Sequence, residues 1–292
     1  MLSKLPILEL VQEQHIVSSD ITIKDAIKEL QDKSAHCLTV TDETGVLKGV
    51  FTEEDVVNKI LGKPLFGTEL ITDFTDPDPL CLGEDCDITS VIDIMGRNNI
   101  RYVPICDKEN RPKGLFSIRE LIYHLADHIE FNGTKYVLKG DPSTNPLGQN
   151  QEAILEVMNL PINFALSSYG ISNIVRLSVN DDIGDALAAF KGSGMVAGLV
   201  FKETHLEGLF RLRDIPFNML HSEAKIDDLS IEDYIKPLPK TVGEEETVGS
   251  GISNMAKDEL LFLHYMSNEK RNGLITARGV LAYMYAHIYD DE

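Results

Sequence analysis

A fourfold internal repeat is the feature that most limits what this chain can fold into. Four segments share a glycine, two apolar residues, a variable residue and a short polar run: LKGVFTEED (47–55), PKGLFSIRE (112–120), LEGLFRLRD (206–214) and RNGLITARG (271–279). The repeat glycines are 65 residues apart within each of the two pairs, and 94 residues separate the second glycine from the third. Self-similarity at a fixed period is typical of repeated supersecondary units. The spacing predicts a duplicated pair of units.

Each repeat has the same pattern upstream of its glycine. Apolar residues recur at helical spacing, and then come a short β-rich run, a turn, a second strand that holds the glycine, and a closing helix. The apolar helix faces are Ile23/Ala26/Ile27/Leu30, Ile88/Val91/Ile92/Met95, Ile183/Ala186/Leu187/Phe190 and Val248/Gly251/Ile252/Met255, and the β-rich runs are CLTV, YVPI, GLVF and LFLHY. Because each short sheet needs helical cover, we predict an α/β fold of four βαββα units. A unit of about 60 residues buries too little surface to stand alone, so the units should pair.

The extra residues between the second and third repeats set the predicted domain boundary. They fall near 131–160, where NGTKY and KGDPSTNPLGQNQ are rich in Gly, Pro, Asn and Ser, a composition typical of irregular connectors. We divide the chain into a first pair at 1–130 (units about 5–62 and 70–130), a connector at 131–160, and a second pair at 161–292 (units about 161–222 and 229–292).

Composition limits the partners and the compartment. The chain has 27 Lys and Arg against 47 Asp and Glu, a net charge of −20, which disfavours broad contact with nucleic acid or anionic lipid but leaves room for local phosphate sites. No stretch approaches the roughly 18 consecutive apolar residues of a membrane helix, and the start of the chain has no export signal. The four cysteines form no C-x-x-C pair. We expect a soluble cytoplasmic protein with reduced thiols and no membrane or nucleic-acid partner.

The repeat is similar to the CBS (cystathionine-β-synthase) domain family. Residues 20–57, DITIKDAIKELQDKSAHCLTVTDETGVLKGVFTEEDVV, follow the family pattern of polar helix start, amphipathic helix, strand, D-x-x-G turn and closing G-h-x-[ST]-x-x-D, where h is apolar. The resemblance implies two Bateman modules, each a pair of CBS motifs whose clefts bind an adenosine-containing ligand. AMP, ADP or ATP is expected as a regulatory ligand in an energy-sensing role, and S-adenosylmethionine is less favoured. No residues remain for a catalytic domain, so the expected function is to regulate an unidentified protein partner without being an enzyme.

The resemblance also implies ligand contacts in the closing motif of the first module. It places Thr52 near the ribose and phosphate, and Asp55 on the two ribose hydroxyls; unit two has Ser117 and Glu120 at these positions. Independently, a carboxylate offers acceptors to two vicinal hydroxyls, and a hydroxyl at a helix N-terminus lies beside N–H groups that favour phosphate. The same [ST]-x-x-[DE] spacing also forms a capping box that needs no ligand, so this alternative stays open.

The second module departs from the family pattern. Unit three has Arg211 with Asp214, and unit four has Thr276 with Gly279, so Arg211, Asp214 and Thr276 are weaker candidates and binding is expected mainly in the first module.

Further candidates lie where the family has basic and apolar residues. Thirteen residues before the first two repeat glycines stand His36 and Arg101, at the start of a strand where the family often places a phosphate-binding cation. Arg101 has a permanent charge and a fork that suits phosphate, although a solvent-facing ion pair is an equal alternative. The apolar walls of an adenine site are predicted at Ile16 and Val17 in unit one and at Leu80 and Cys81 in unit two.

Other functional classes are less favoured. His124 and His128 have the spacing of metal ligands on a helix but lack a third ligand, so we expect a solvated helix face and no metal site. A ligand-independent scaffold that uses the CBS folds for dimerisation is the main alternative, and an enzyme with the connector as its active-site loop is a weaker one. A homodimer is expected if apolar helix faces remain at the edge of the four units.

Overall fold

Four three-stranded sheets, one for each repeat, form the framework of the molecule. The computed structural model describes residues 7–12, 14–33, 35–60, 67–140, 147, 150–163, 174–215, 229–269 and 272–289. Several predicted unit edges, and residues 141–146 and 148–149 of the predicted connector, lie outside these residues.

The first pair comprises two units. Unit one contains β1 (Ile16–Ser18), α1 (Ile23–Asp32), β2 (Cys37–Thr41), β3 (Leu47–Thr52) and α2 (Glu53–Asp55), which continues as a π-helical turn over Val56–Ile60. Unit two contains β4 (Leu82–Gly83), α3 (Ile88–Asn98), β5 (Tyr102–Cys106), β6 (Pro112–Ser117) and α4 (Ile118–His128).

A hairpin, a helix and the second pair follow. The hairpin is β7 (Ile129–Phe131) with β8 (Tyr136–Leu138), and the helix is α5 (Gln151–Asn159). Unit three contains β9 (Val175–Ser178), α6 (Ile183–Phe190), β10 (Ala197–Lys202), β11 (His205–Arg211) and a 3₁₀ turn at Leu212–Asp214. Unit four contains β12 (Thr241–Val242), α7 (Val248–Lys257), β13 (Phe262–Met266), β14 (Asn272–Thr276) and α8 (Ala277–Tyr289).

All four sheets have the same topology. The short first strand runs parallel to the second, and the second runs antiparallel to the third; in unit one, Ile16 is opposite Thr39, and Cys37 is opposite Thr52. A parallel pair needs a crossover, and the amphipathic helix supplies it in every unit. The predicted α/β class with four βαββα units is confirmed.

The first helix of each unit begins in the same way. The side chain at each N-cap accepts a hydrogen bond from the backbone N–H three residues later, and the N-caps are Thr22, Asp87, Asp182 and Thr247. All sixteen residues of the four predicted apolar faces are buried. The N-caps and the apolar periodicity therefore define the same four helices that the sequence predicted.

The repeat glycines mark places where a neighbouring segment crosses the sheet. A Cβ atom would lie 2.5 Å from Thr75 Cβ at Gly49, 2.2 Å from Val11 Cγ2 at Gly114 and 2.5 Å from the Lys236 carbonyl oxygen at Gly208. In the first pair, the segment leading into each unit thus packs on the glycine strand of the other unit. This close approach explains why a glycine recurs at this position of the repeat.

Two hydrophobic cores join units across the two pairs. Helical residues of unit one, such as Ile27 and Val57, share a core with Leu187 and Phe210 of unit three. Helical residues of units two and four, with part of α5, form another core. A third cluster packs the sheets of units three and four against each other. The two pairs therefore share their cores.

The described part of the segment 131–160 is regular, contrary to the predicted irregular connector. Strands β7 and β8 pair antiparallel, and α5 buries Ile154, Val157 and Met158. The Asn159 side chain joins these elements, because its oxygen accepts from the Tyr136 N–H at 2.7 Å and its nitrogen donates to the Tyr136 carbonyl at 3.0 Å. Composition suggested a loop because Gly, Pro, Asn and Ser are frequent in this segment, and its stretch DPSTNP (141–146) lies outside the described residues.

His124 lies in the protein interior, so the predicted solvated helix face is wrong at this residue. Its side chain is 4% exposed, and its ring centroid is 4.3 Å from that of His128. The Nδ1 atom of His128 lies 2.8 Å from the His124 carbonyl oxygen. Among the described residues there is no group of three or more His, Cys, Asp or Glu side chains that could hold a metal ion.

Candidate functional site

Two cavities of about 290 Å³ each lie between units one and two and extend towards the second pair. The first cavity is lined by the start of α2 and the turn after it, by residues 76–80, and by the segment from Asn99 to Tyr102, with Arg278 of unit four at its edge. The second cavity is lined by the start of α4, by residues near Arg211, and by the segment from Asp258 to Phe262. Arg101 and Tyr102 line both cavities.

Thr52 and Asp55 lie together at the wall of the first cavity. Thr52 ends β3 and is the N-cap of α2, and its backbone N–H and hydroxyl both donate to Asp55 Oδ2 at 2.8 Å. The other carboxylate oxygen, Oδ1, lies 2.8 Å from Lys59 Nζ. The capping box left open by the sequence is therefore present. A carboxylate has about four lone-pair sites, and these three contacts leave Asp55 with about one free acceptor site.

Of the four predicted adenine-wall residues, Leu80 is the one that lines a described cavity. It is 43% exposed and stands beside Pro79 in the first cavity. Cys81 directs its thiol to Asn110 Oδ1 at 3.1 Å instead. Val17 is buried in the core shared by units one and three, and Ile16 is 48% exposed; neither residue lines the two cavities.

Arg101 is buried between the two cavities rather than facing solvent. Its side chain is 7% exposed, and Nη2 lies 3.2 Å from Glu54 Oε1. This contact is an ion pair at a poor angle, because Nη2 has no hydrogen-bond partner among the described residues. Burial favours the neutral guanidine, but the nearby Glu54, Tyr102 and Glu53 outweigh that effect and raise the pKa of Arg101. A permanent, incompletely satisfied cation thus lies in the centre of the molecule.

His36 and Ser117 line the second cavity. His36 Nδ1 is 3.4 Å from Glu53 Oε2, and Ser117 is the N-cap of α4, where it forms a capping box with Glu120. Glu120 itself lies outside both cavity linings. The predicted first-module residues that line a cavity are therefore divided between the two cavities, and the other four line neither.

The weaker candidates of the second module have partners within their own units. Arg211 lines the second cavity, but it binds Asp214 with Nε to Oδ2 at 2.6 Å and Nη2 to Oδ1 at 2.7 Å. Both oxygens of Asp214 are thereby engaged. The Thr276 hydroxyl accepts from the Gly279 N–H at 3.0 Å, as a helix cap would, and Thr276 is absent from both linings.

Sequence reasoning missed the residue two positions after the Ser/Thr position of the closing motif in each repeat. This position holds Glu54, Arg119, Arg213 and Arg278, and all four residues line one of the two cavities. Arg278 Nη2 donates to both oxygens of Glu54 at 2.9 and 3.0 Å, so equivalent positions of units four and one contact each other. The sequence contained a signal for these residues, because all four equivalent positions carry a charge: one is a glutamate and three are arginines.

The first cavity has a balanced set of charges. Lys59, Arg101 and Arg278 supply three cations, and Glu54, Asp55 and Asp76 supply three acids. Because the whole chain has a net charge of −20, this balance is a local concentration of positive charge. Buried cations near helix N-termini favour anions in such a place.

The model of the CBS domain family matches residues 9–62 and 71–127, which are units one and two. An uncharacterised 17.7 kDa protein of Acidianus ambivalens is 28% identical over 113 residues, which are 39% of this chain and 68% of that protein. An inosine-5'-monophosphate dehydrogenase of Methanocaldococcus jannaschii is 31% identical over 106 residues. That match spans 36% of this chain but only 20% of the dehydrogenase, so most of the enzyme lies outside the matched region.

Solved structures extend the similarity to the whole chain. Protein MJ1225 of Methanocaldococcus jannaschii, for which homology to g-AMPK has been suggested, covers 96% of this chain with 99% of its own, at a TM-score of 0.72 and 18% identity. At this identity the similarity shows the fold alone. Among the described helices, none combines the length and the apolar character needed to cross a membrane.

Proposed function

Because this chain belongs to the CBS-domain family, we propose that it is a regulatory protein that binds AMP, ADP or ATP in the first cavity and signals its occupancy to a protein partner. One observation carries the proposal: Thr52, Asp55, Leu80 and Arg101, predicted from three separate segments, line the same cavity. The proposal keeps the division at 1–130, 131–160 and 161–292, assigns no catalytic activity, and places the protein in the cytoplasm.

The lining of the first cavity offers a complementary group for each part of a nucleotide. Leu80, Pro79 and Ile100 provide an apolar surface for a base. Asp55 can accept from a ribose hydroxyl through its remaining acceptor site, and Arg101 can donate to a phosphate. The volume of about 290 Å³ is at the lower end of the range of small-molecule sites, which suits one nucleotide.

Signalling would follow from differential binding. A nucleotide in the first cavity contacts units one and two at once, and the partner would respond to their relative arrangement. The ligand can shift that arrangement only by its difference in affinity between the two states.

The capping role of Asp55 has a matched control within the chain. Thr22 and Asp25 form the same Thr-x-x-Asp contact at the start of α1, with the Thr22 hydroxyl 2.7 Å from Asp25 Oδ2, and they line neither cavity. Asp55→Asn and Asp25→Asn therefore each weaken a Thr-x-x-Asp cap, and Asp55 additionally loses charge beside Lys59. An asparagine offers one acceptor oxygen in place of two, so only the change at position 55 should impair ribose binding.

The test is a calorimetric and thermal-shift titration with AMP, ADP, ATP, S-adenosylmethionine and NAD. A ligand at about 100 times its Kd should stabilise the wild type by about 2.7 kcal/mol. We expect binding of an adenine nucleotide by the wild type and by Asp25→Asn, and at least about tenfold weaker binding by Asp55→Asn. Equal binding by both variants would reduce Asp55 to a helix cap. No binding of any adenosine compound to ligand-free wild type would favour the ligand-independent scaffold.

A further inference from the structure

The first cavity contains a residue that the second pair supplies. Arg278 extends from the first turn of α8 in unit four, and its Nη2 atom donates to both carboxylate oxygens of Glu54 in unit one, at 2.9 and 3.0 Å. Its Nη1 atom donates to the Gly194 carbonyl of unit three. One side chain thus connects three units at the edge of the cavity.

Glu54 is shared between two arginines and satisfies neither of them completely. Its Oε1 atom lies 2.9 Å from Arg278 Nη2 and 3.2 Å from Arg101 Nη2. Arg101 Nη2 and Arg278 Nε are buried atoms without a hydrogen-bond partner among the described residues. Buried donors without partners are costly, and the cost is greater for charged groups. Two guanidinium forks with spare donors therefore converge on one carboxylate.

We propose that Arg278 is a specificity-determining residue of the first cavity, and that it binds the phosphate of the nucleotide together with Arg101 when that phosphate takes the place of Glu54. This inference rests on the proposed function. A phosphate monoester carries up to two negative charges and three acceptor oxygens, whereas Glu54 brings one charge and two oxygens. Phosphate can therefore satisfy donors that the carboxylate leaves free.

The remaining charges of the cavity leave this place to the two arginines. Lys59 already lies 2.8 Å from Asp55 Oδ1 and donates to the Phe74 carbonyl at 2.6 Å. Asp76, which also lines the cavity, repels anions. A phosphate therefore finds its strongest partners at Arg101 and Arg278, and the base and ribose contact the rest of the lining.

This role assigns a function to the second module, which departs from the family pattern in its closing motifs. Unit four lacks the carboxylate of the closing motif, because Gly279 stands where unit one has Asp55. The residue before that glycine is Arg278, which contacts the first module instead. The second module thus contributes a cation to the ligand site of the first, and ligand occupancy is linked to the contact between the pairs.

The test compares nucleotides with adenosine, which lacks only the phosphate groups. Calorimetric titrations with AMP, ADP, ATP and adenosine are made on the wild type, Arg278→Gln and Arg97→Gln. Arg97 is an exposed residue of α3 outside both cavities, so Arg97→Gln makes the same change in net charge. We expect Arg278→Gln to weaken binding of the preferred nucleotide by about 10-fold to 100-fold and that of adenosine by less than about 3-fold. Arg97→Gln should change neither affinity by more than about 2-fold.

A variant that is expected to strengthen nucleotide binding separates a loss of ligand contact from a loss of folding. Glu54→Gln keeps the shape of the side chain and removes the charge that competes with phosphate, so it should strengthen nucleotide binding several-fold without strengthening adenosine binding. Melting temperatures confirm that each variant is folded. Equal losses for nucleotide and adenosine in Arg278→Gln, or weaker nucleotide binding in Glu54→Gln, would overturn the role of Arg278 while leaving nucleotide binding intact. Absence of all binding in the wild type would instead overturn the proposed function and this inference with it.

Discussion

At the scale of single residues, His124 makes the stability of the fold depend on pH. Burial is the main reason that its pKa falls from 6.5 to about 4, and repulsion from His128 adds to the effect. The unfolded chain therefore takes up a proton near pH 6.5, whereas the folded chain stays neutral until about pH 4. The stability contributed by the neutral ring is present above pH 6.5 and is lost as the pH falls towards 4. The loss amounts to about 3 kcal/mol at most.

We expect His124→Leu to reduce this loss, as measured by urea unfolding between about pH 7 and pH 5. Burial also lowers the pKa of His264, so part of the slope should remain in the variant. His205 is exposed, and His205→Gln should keep the full slope of the wild type. An unchanged slope in His124→Leu would mean that the imidazole of the wild type is protonated in the folded state well above pH 4.

The candidate site shows at this scale what the sequence can predict. Thr52 and Asp55 were found because their motif is local, three residues long and repeated. Arg101 was found because it keeps a fixed distance from a repeat glycine, but its burial was not predicted. Arg278 was missed because its contact with Glu54 joins residues 224 positions apart, and one sequence does not show which units pack together.

At the scale of elements, Gly208 lets strand β11 of unit three approach the backbone of the segment at Lys236. A Cβ atom would lie 2.5 Å from the Lys236 carbonyl oxygen, and that oxygen accepts from the Leu209 N–H at 2.9 Å. The Lys236 N–H donates in return to the Leu209 carbonyl at 2.8 Å. Gly208→Ala should separate the two backbones and cost about 1–3 kcal/mol of unfolding free energy. Alanine would otherwise stabilise a strand relative to glycine.

Gly273→Ala is the matched substitution, measured in the same urea titration. Gly273 holds the equivalent position in unit four, where the nearest atom to a Cβ is a side-chain atom, Tyr265 Cδ1, at 3.2 Å. The tyrosine ring can move by a few tenths of an ångström, so the loss should be smaller than at Gly208. A larger loss at Gly273 would contradict the close-approach explanation of the repeat glycines.

Elements were predicted well wherever the pattern was periodic. The four capped helices and the β-rich runs are where periodicity placed them, because the apolar residues that each element buries recur at a local spacing that the sequence shows. The π-helical turn at Val56–Ile60 and the regular segment around Tyr136 were missed. Both depend on packing against other units, which residue preferences along one segment do not encode.

At the scale of the whole molecule, the two pairs are joined through buried helix faces. Within the described residues, the apolar faces of the first helices are covered because units one and two share cores with units three and four, and the expected homodimer stays a prediction. Occupancy of the first cavity can therefore reach the second pair through packed helices as well as through Arg278. Contiguous packed side chains of this kind can carry energetic coupling between two sites.

Gly96 in α3 and Tyr285 in α8 test this coupling. A Cβ atom at Gly96 would lie 2.4 Å from Tyr285 Cβ, so the helices of units two and four approach too closely for a larger residue. Gly96→Ala raises helix propensity by about 1 kcal/mol, yet we expect a net loss of about 1–2 kcal/mol in the free energy of unfolding, because overpacking outweighs propensity.

Asn98→Ala, at an exposed position of the same helix, is the control and should not destabilise the chain. Hydrogen exchange should accelerate in α3 and α8 together, since separating these helices opens the core shared by both pairs. A Gly96→Ala protein more stable than the wild type, with exchange altered in α3 alone, would show instead that the two pairs unfold independently and that the close contact carries no coupling between them.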